Sequence, residues 1–194
     1  SDLMRALGCE LPGLSRKPLG ERDYPPGQHG QRMRKKSDYG LKLIEKQKLR
    51  FNYGLTETQL RRVVADAKKD RGATGDKLVE LLERRLDNLV FRAGFAPTIP
   101  AARQLVSHGK FQLNGKRVTI PSFRVSPLDI VDVAPKSLNL TPFIIARETW
   151  GEREVPGWLT VKPNRMRILV HQLPTREQIT IDVAEQLIVE LYSK

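Results

Sequence analysis

The 194-residue sequence holds one cysteine, Cys9, so it has neither an intramolecular disulfide framework nor a multi-cysteine zinc site. Its three histidines, His29, His108 and His171, share no ligand spacing and have no cysteine or carboxylate cluster near them, so no metal and no cofactor is expected. No run of eighteen apolar residues occurs, which excludes a transmembrane helix. Walker, G-x-S-x-G and H-E-x-x-H patterns are missing, and no catalytic residue is expected. Aromatic residues make up only 6%, and Trp150 and Trp158 lie too far along the chain from its basic clusters to suggest a base-stacking platform. No internal repeat is visible at a period of twenty to fifty residues. Ser1 is not followed by an apolar signal segment, which reads as a cytosolic-type chain whose extreme N-terminus is processed or missing.

What the sequence has in excess is positive charge, 34 lysines and arginines against 22 acids, a net of +12. Such an excess costs stability through self-repulsion and points to a polyanionic partner. It is unevenly placed: residues 1–50 carry a net +6, 51–100 +2, 101–150 +4, and 151–194 zero. The excess therefore belongs to the N-terminal quarter and a central segment, with the C-terminal quarter left neutral.

Prolines and glycines punctuate residues 1–36, which read as an irregular basic arm ending in Gln31-Arg32-Met33-Arg34-Lys35-Lys36. Such a segment has no core face and is expected to order against its partner. Ser37 caps a basic helix over 38–53, with Gly54 as its stop. Thr56 with Gln59 forms a capping box for a second helix carrying Leu60, Val63, Val64 and Ala67 at helical spacing. A third helix is expected from about Asp76 to Ala93. Thr98 caps a short helix that Gly109 stops. Strands follow at 111–113 and 118–120, with Asn114-Gly115 between them; this pair favours a type I′ turn because both positions need positive φ. Ser126–Asp129 is read as a turn into a strand at 130–133. Further strands are expected at 158–161 and 166–173, and a last helix after Asp182, with Glu185 completing its cap. The class is α+β: an irregular basic arm (1–36), a mainly helical domain (37–84 with 148–194), and an inserted module of paired helices and a β-hairpin (85–147).

The central segment carries the chemistry. Arg103, Gln104 and His108 share one short helix, Lys110 follows its exit, and Asn114, Lys116 and Arg117 flank the hairpin tip. Cations spaced this way match successive phosphates, and arginine also stacks on bases and reads the wide minor groove of RNA. The spacing alone equally describes a solvated helix face beside a charged hairpin edge.

Several stretches together resemble the family of ribosomal protein S-four of bacterial and plastid small subunits. They are Pro25-Pro26-Gly27-Gln28-His29-Gly30-Gln31; Ser37-Asp38-Tyr39-Gly40 with Glu45 to Arg50; the threonine-glycine pair before the third helix; Arg85 to Arg92; Ala102 to Lys110; Asn114 to Val118; Ile120 to Phe123; and Glu185 to Lys194. They occur in the family's order along nearly the whole chain. The resemblance implies a non-catalytic small-subunit constituent that binds the 5′ region of small-subunit rRNA and nucleates its assembly. It also implies a position beside ribosomal protein S-five, where decoding accuracy is influenced, and near the mRNA entry path, on ribosomes of the cytoplasm or the plastid stroma. By the match, Arg85, Arg92, Arg103, Gln104, His108, Lys110 and Arg117 contact rRNA. Gln28, His29, Arg32, Arg34, Lys35 and Lys36 insert among RNA helices, and Lys46, Lys48 and Arg50 line phosphates.

The chain departs from the family in three places. Members with several N-terminal cysteines bind zinc; here Cys9 stands alone and reads as a small buried or partly buried residue rather than a nucleophile. The basic opening segment of the family is not present at Ser1. The stretch from Leu138 to Gly157 matches poorly, and no role is carried onto it; Leu11 to Lys17 resembles plastid and cyanobacterial members. Two rival readings use the same module. A pseudouridine synthase would use the aspartate of Arg85-Leu86-Asp87, but the threonine-serine-glycine continuation is missing and too few residues follow for that catalytic domain. The structural alternative for Asp87 is a partner of Arg84 or Arg92. A stand-alone stress RNA binder would need neither the PPGQHGQ arm nor the C-terminal signature.

Overall fold

The computed structural model describes residues 1–32 and 34–193; Met33 of the basic run and Lys194 of the C-terminal signature lie outside it. Among the described residues the fold is α+β, with eight α-helices and one five-stranded antiparallel sheet. The chain divides into two compact units, Ser1–Val79 with Thr180–Lys194, and Glu80–Ile179.

The first unit is helical. Within the stretch expected to be irregular, α1 spans Asp2–Leu7, capped by the Ser1 hydroxyl. Its Met4 and Leu7, with Leu11, are buried against Ile44 and Phe51 of α2, which spans Asp38–Tyr53. Cys9 packs on the same cluster, and its burial pushes the thiol up from its ordinary pKa against the opposing charge of Lys48. Here the apolar residues win over the Pro/Gly punctuation, because Met4 and Leu7 share one side of α1 and Leu11 follows into the same cluster. The Ser37 and Thr56 caps form as expected, the latter as a reciprocal capping box opening α3, Glu57–Lys68. Leu60, Val63, Val64 and Ala67 are its buried face.

The last helix, α8 at Glu185–Leu191, packs along α2. Asp182 does not cap it. Ala184 stands at the cap, and its N–H donates to Glu45 Oε2 of α2 at 2.9 Å, so a carboxylate from a neighbouring helix supplies what the local sequence was expected to. Glu190 pairs with Lys42 at 3.4 Å, and the Tyr192 hydroxyl donates to Glu57 Oε1 at 2.5 Å.

The helix expected over 76–93 is two helices, α4 at Thr74–Glu83 and α5 at Leu86–Arg92. Between them Arg85 is extended (φ −60, ψ 139). The break is made by a distant segment. Leu86 N–H donates to Phe123 O, Asp87 N–H to Pro121 O, and Val125 N–H to Arg84 O, so chain 121–125 supplies the partners that a continuous helix would have supplied. Periodicity reads straight through such a break because the apolar stripe continues on both sides.

In the second unit α5 packs on α6, Ile99–Ser107, which is capped by Thr98. The strands β1 (Phe111–Leu113), β2 (Lys116–Val118), β3 (Ile130–Val133), β4 (Leu159–Lys162) and β5 (Arg167–Val170) lie in the order β2-β1-β3-β5-β4. Asn114 and Gly115 both have positive φ, 51° and 84°. The two-residue turn leaves no spare residue, so β2 begins at Lys116 rather than 118, with Leu113 opposite Lys116 and Phe111 opposite Val118. Residues 148–179, expected beside the terminal helices, belong to this unit, because β5 pairs antiparallel with β3 and Asp132 holds Arg167 across that pair at 2.8 Å. A helix α7, Thr141–Glu148, covers part of the core through Phe143, whose ring meets Phe111 edge-on at 5.6 Å. Trp158 is fully buried.

Candidate nucleic-acid interface

The α6 exit and the hairpin form one edge. His108 ends α6, and Gly109 follows with φ +73. The Arg117 guanidinium, from β2, lies directly over Gly109; a β-carbon there would be 2.7 Å from Arg117 Cζ. This contact brings the charge of β2 back to the helix exit, next to Lys110. Lys110 in turn is fixed through its backbone, its N–H donating to Leu105 O and its carbonyl accepting from Ala134 N–H. Gln104, His108, Lys116 and Arg117 are exposed, while Arg103 and Lys110 are half-buried. Positive side chains on a short helix exit and a rigid turn, with their backbones already satisfied, can meet phosphates at little ordering cost.

The turn itself is anchored from its far side. Asn114 Nδ2 donates to Asp129 Oδ1 at 3.0 Å, and Asn114 Oδ1 accepts from Ile130 N–H at 2.9 Å. Asp129 Oδ2 also accepts from Ser126 N–H at 2.8 Å. The sequence identifies Asn114 as a turn former; that its amide also ties the turn to the start of β3 depends on which strand lies beside the hairpin.

Two family-matched arginines turn away from this edge. Arg85 is buried, its side chain 5% exposed, and its Nε and Nη2 donate to Asp87 Oδ1 and Oδ2 at 3.2 and 3.1 Å. Asp87 is wholly buried and also accepts from Asn88 N–H at 2.7 Å. Burial raises the Asp87 carboxyl above its ordinary value, opposed by Arg85 and, more weakly, by the charge of Arg103. The partner of Asp87 is thus Arg85, neither Arg84 nor Arg92. Arg92 reaches inward to Glu83 Oε1 at 2.7 Å, with its guanidinium beside the Phe91 ring. The sequence makes both look like RNA contacts because charge along a chain carries no sign of direction; the carboxylates that claim them, two and nine residues away, decide it.

The α2 cations are also engaged. Lys46 donates to Glu57 Oε2 at 3.0 Å, Lys48 to Glu45 Oε1 at 2.9 Å, and Arg50 to the Leu55 carbonyl at 3.1 Å. Burial works against the Lys48 charge, yet the bond to Glu45 raises its pKa above the ordinary lysine value. In the arm, by contrast, Gln28, His29, Arg32, Arg34, Lys35 and Lys36 are all exposed.

Cys9 is half-buried, and His171, just past β5, contacts Thr160 of the neighbouring strand β4. Among the described residues no group of three or more His, Cys, Asp or Glu side chains is arranged to hold a metal ion, and no helix is long and apolar enough to cross a membrane.

Residues 1–83 match the family profile described as Ribosomal protein S4/S9 N-terminal domain, and residues 84–131 match that described as S4 domain. The chain is 58% identical over 190 residues to the Small ribosomal subunit protein uS4 of Cutibacterium acnes, spanning 98% of this chain and 94% of the relative. The protein of the same name from a Nocardioides species gives the same identity and coverage. That from Nocardia farcinica is 60% identical over 173 residues, spanning 89% of this chain and 86% of the relative. With both profiles matched in tandem and identity sustained along its length, the chain belongs to the uS4 family of small ribosomal subunit proteins.

Proposed function

We propose that this chain is a structural, non-catalytic constituent of the small ribosomal subunit that binds small-subunit rRNA early in assembly and nucleates folding of the 5′ domain. The observation that carries the reading is Arg117 lying over Gly109, which gathers Arg117 and Lys110 on one edge of the module, with Lys116 on the same hairpin and His108 and Gln104 on the adjoining helix. Phosphates meeting this edge release condensed counterions, lowering the cost of bringing RNA helices together. The exposed arm residues from Gln28 to Lys36 form a second cationic surface, without a core of their own, suited to ordering among RNA helices. Arg85 and Arg92 act inside the module by fixing its helices, and Lys46, Lys48 and Arg50 contribute charge only after sharing it with protein partners. A seat beside ribosomal protein S-five with an influence on decoding accuracy, and basic side chains near the mRNA path, extend the same reading through the family resemblance. The bacterial relatives support a ribosome of the cytoplasm.

Asp87 weighs against the pseudouridine synthase reading, because a carboxylate that is wholly buried and gripped by Arg85 has no access to a base. A stand-alone stress RNA binder does not account for identity that runs through the arm and the C-terminal helix.

The test is binding to a 5′-domain rRNA fragment across a salt series. Arg103→Ala with Lys110→Ala weakens binding and flattens the salt slope; unchanged affinity and slope would refute the site. Co-sedimentation of the native chain with small subunits after a moderate-salt wash tests the ribosomal assignment by itself.

A further inference from the structure

Three aromatic rings are exposed among the described residues: Tyr39 at 64%, Trp150 at 44% and Phe123 at 37%. Of these, Phe123 alone belongs to the segment that carries the cationic edge. Residues 110–125 include Lys110, Lys116, Arg117 and Arg124 and no acid. Ile120, in the same stretch, is 58% exposed. The tryptophans lie too far along the chain to stack bases beside these cations, whereas Phe123 follows the hairpin directly.

The backbone holds this ring in a fixed place. Ile120-Pro121-Ser122-Phe123 is a turn closed by the Phe123 N–H, which donates to Ile120 O at 3.1 Å, and Pro121 presets one of its backbone angles. The Pro121 and Phe123 carbonyls accept from Asp87 and Leu86 N–H at 3.1 and 2.8 Å, and Val125 N–H donates to Arg84 O at 3.0 Å. A ring presented from backbone that is already bonded on both sides costs little to order against a ligand. The carboxylates beneath the turn are engaged: Asp87 by Arg85 at 3.1 Å, and Glu80 by Arg84 at 3.7 Å. Arg103 acts by charge on Asp87, whose N–H reaches Pro121, so the α6 cation lies near the base of the turn, while β2 leads into it with Lys116 and Arg117 exposed. Phosphates drawn to these cations bring their own bases with them. A nucleotide joins an anion and a flat apolar ring in one unit, and a phenyl ring beside cations suits both parts. A duplex hides the faces of its bases, so the base that reaches Phe123 is unpaired, in a loop, in a bulge or at a helix end.

We propose that Phe123 is the stacking platform for one unpaired base of the small-subunit rRNA, with Ile120 of the same turn extending the apolar surface and Lys116 and Arg117 holding phosphates of the same strand. The inference rests on the rRNA-binding reading and adds to it a contact residue and a class of nucleotide.

The test uses the full chain and a 5′-domain rRNA fragment. Binding is measured across a salt series for the unsubstituted chain, Phe123→Leu and Phe123→Trp, each confirmed folded by circular dichroism. Phe123→Leu keeps apolar bulk but loses the ring face, and should weaken binding about tenfold at every salt concentration. The salt slope should not change, because stacking releases no counterions. Phe123→Trp restores the face and should recover the affinity. Short-wave ultraviolet irradiation of the unsubstituted complex, which needs no substitution to fold, should join peptide 118–124 to an unpaired nucleotide. Wild-type affinity for Phe123→Leu, which would leave the ring to a protein partner, overturns the proposal. So does a flattened slope, a Phe123→Trp chain as weak as Phe123→Leu, or irradiation that joins this peptide to a paired nucleotide or to none. An unsubstituted chain that fails to bind the fragment overturns the rRNA-binding reading itself, and the stacking site with it.

Discussion

Arg85 grips Asp87 through two bonds of 3.2 and 3.1 Å inside the second unit, the side chains being 5% and 1% exposed. Removing one partner strands a buried charge. Arg85→Ala is therefore expected to cost about 3–5 kcal/mol of stability, read as a fall in the urea midpoint. Replacing both, Arg85→Met with Asp87→Leu, removes the desolvation cost along with the attraction and recovers most of that loss. Equal destabilisation in the single and double variants would show that the pair acts through backbone geometry alone.

At Gly109 two constraints coincide. Its φ of +73 is a conformation in which a side chain costs roughly 1–2 kcal/mol, and the space for a β-carbon is taken by the Arg117 guanidinium. Gly109→Ala should thus lower stability and also displace Arg117, weakening rRNA-fragment binding. In an Arg117→Ala background the same substitution keeps its stability cost but has little further effect on binding. Additive losses of affinity would separate Arg117 from the helix exit.

Much of this fold can be read from the chain because its signals are local. The Ser37, Thr56 and Thr98 caps, the Asn114-Gly115 turn and the strand at Ile130–Val133 each depend on side chains within a few residues of the backbone they organise. What escapes sequence reading depends on distant partners. The break at Arg85 is made by residues 121–125, the cap of α8 comes from Glu45, and the strands after residue 158 join a sheet begun at Phe111. The candidate interface divides in the same way. Gln104, His108, Lys116 and Arg117 lie at the surface as their positions on an amphipathic helix and a hairpin suggest, whereas Arg85 and Arg92 are drawn inward by Asp87 and Glu83.

Glu57 couples α2, α3 and the C-terminal end through pH. Burial opposes its ionisation, but hydrogen bonds from Tyr192 and Lys46 outweigh it and hold the carboxyl below its ordinary value. A depressed carboxylate stabilises the fold at pH values above its unfolded pKa and loses that contribution as pH falls through the folded value. The advantage of the wild type over Glu57→Gln in urea unfolding should therefore be full at about pH 6 and shrink below about pH 4. An advantage that stays constant across that range would mean that Glu57 acts through packing and neutral hydrogen bonds.

The salt dependence of rRNA binding distinguishes interface cations from those spent inside the protein. Each phosphate that a substitution leaves unneutralised takes about 0.7–0.9 from the slope of log affinity against log salt. Lys116 and Arg117 are both exposed on β2, and Lys116→Ala with Arg117→Ala should reduce the slope by about 1.4–1.8. Lys46→Ala removes a cation already shared with Glu57 and should change the slope by less than the share of a single phosphate. Arg85→Gln, measured without denaturant at a temperature where the variant remains folded by circular dichroism, should leave the slope unaltered, since its charge is neutralised by Asp87 before any RNA arrives. A slope lowered as much by Arg85→Gln as by a hairpin substitution would return Arg85 to the interface and require the module to open on binding.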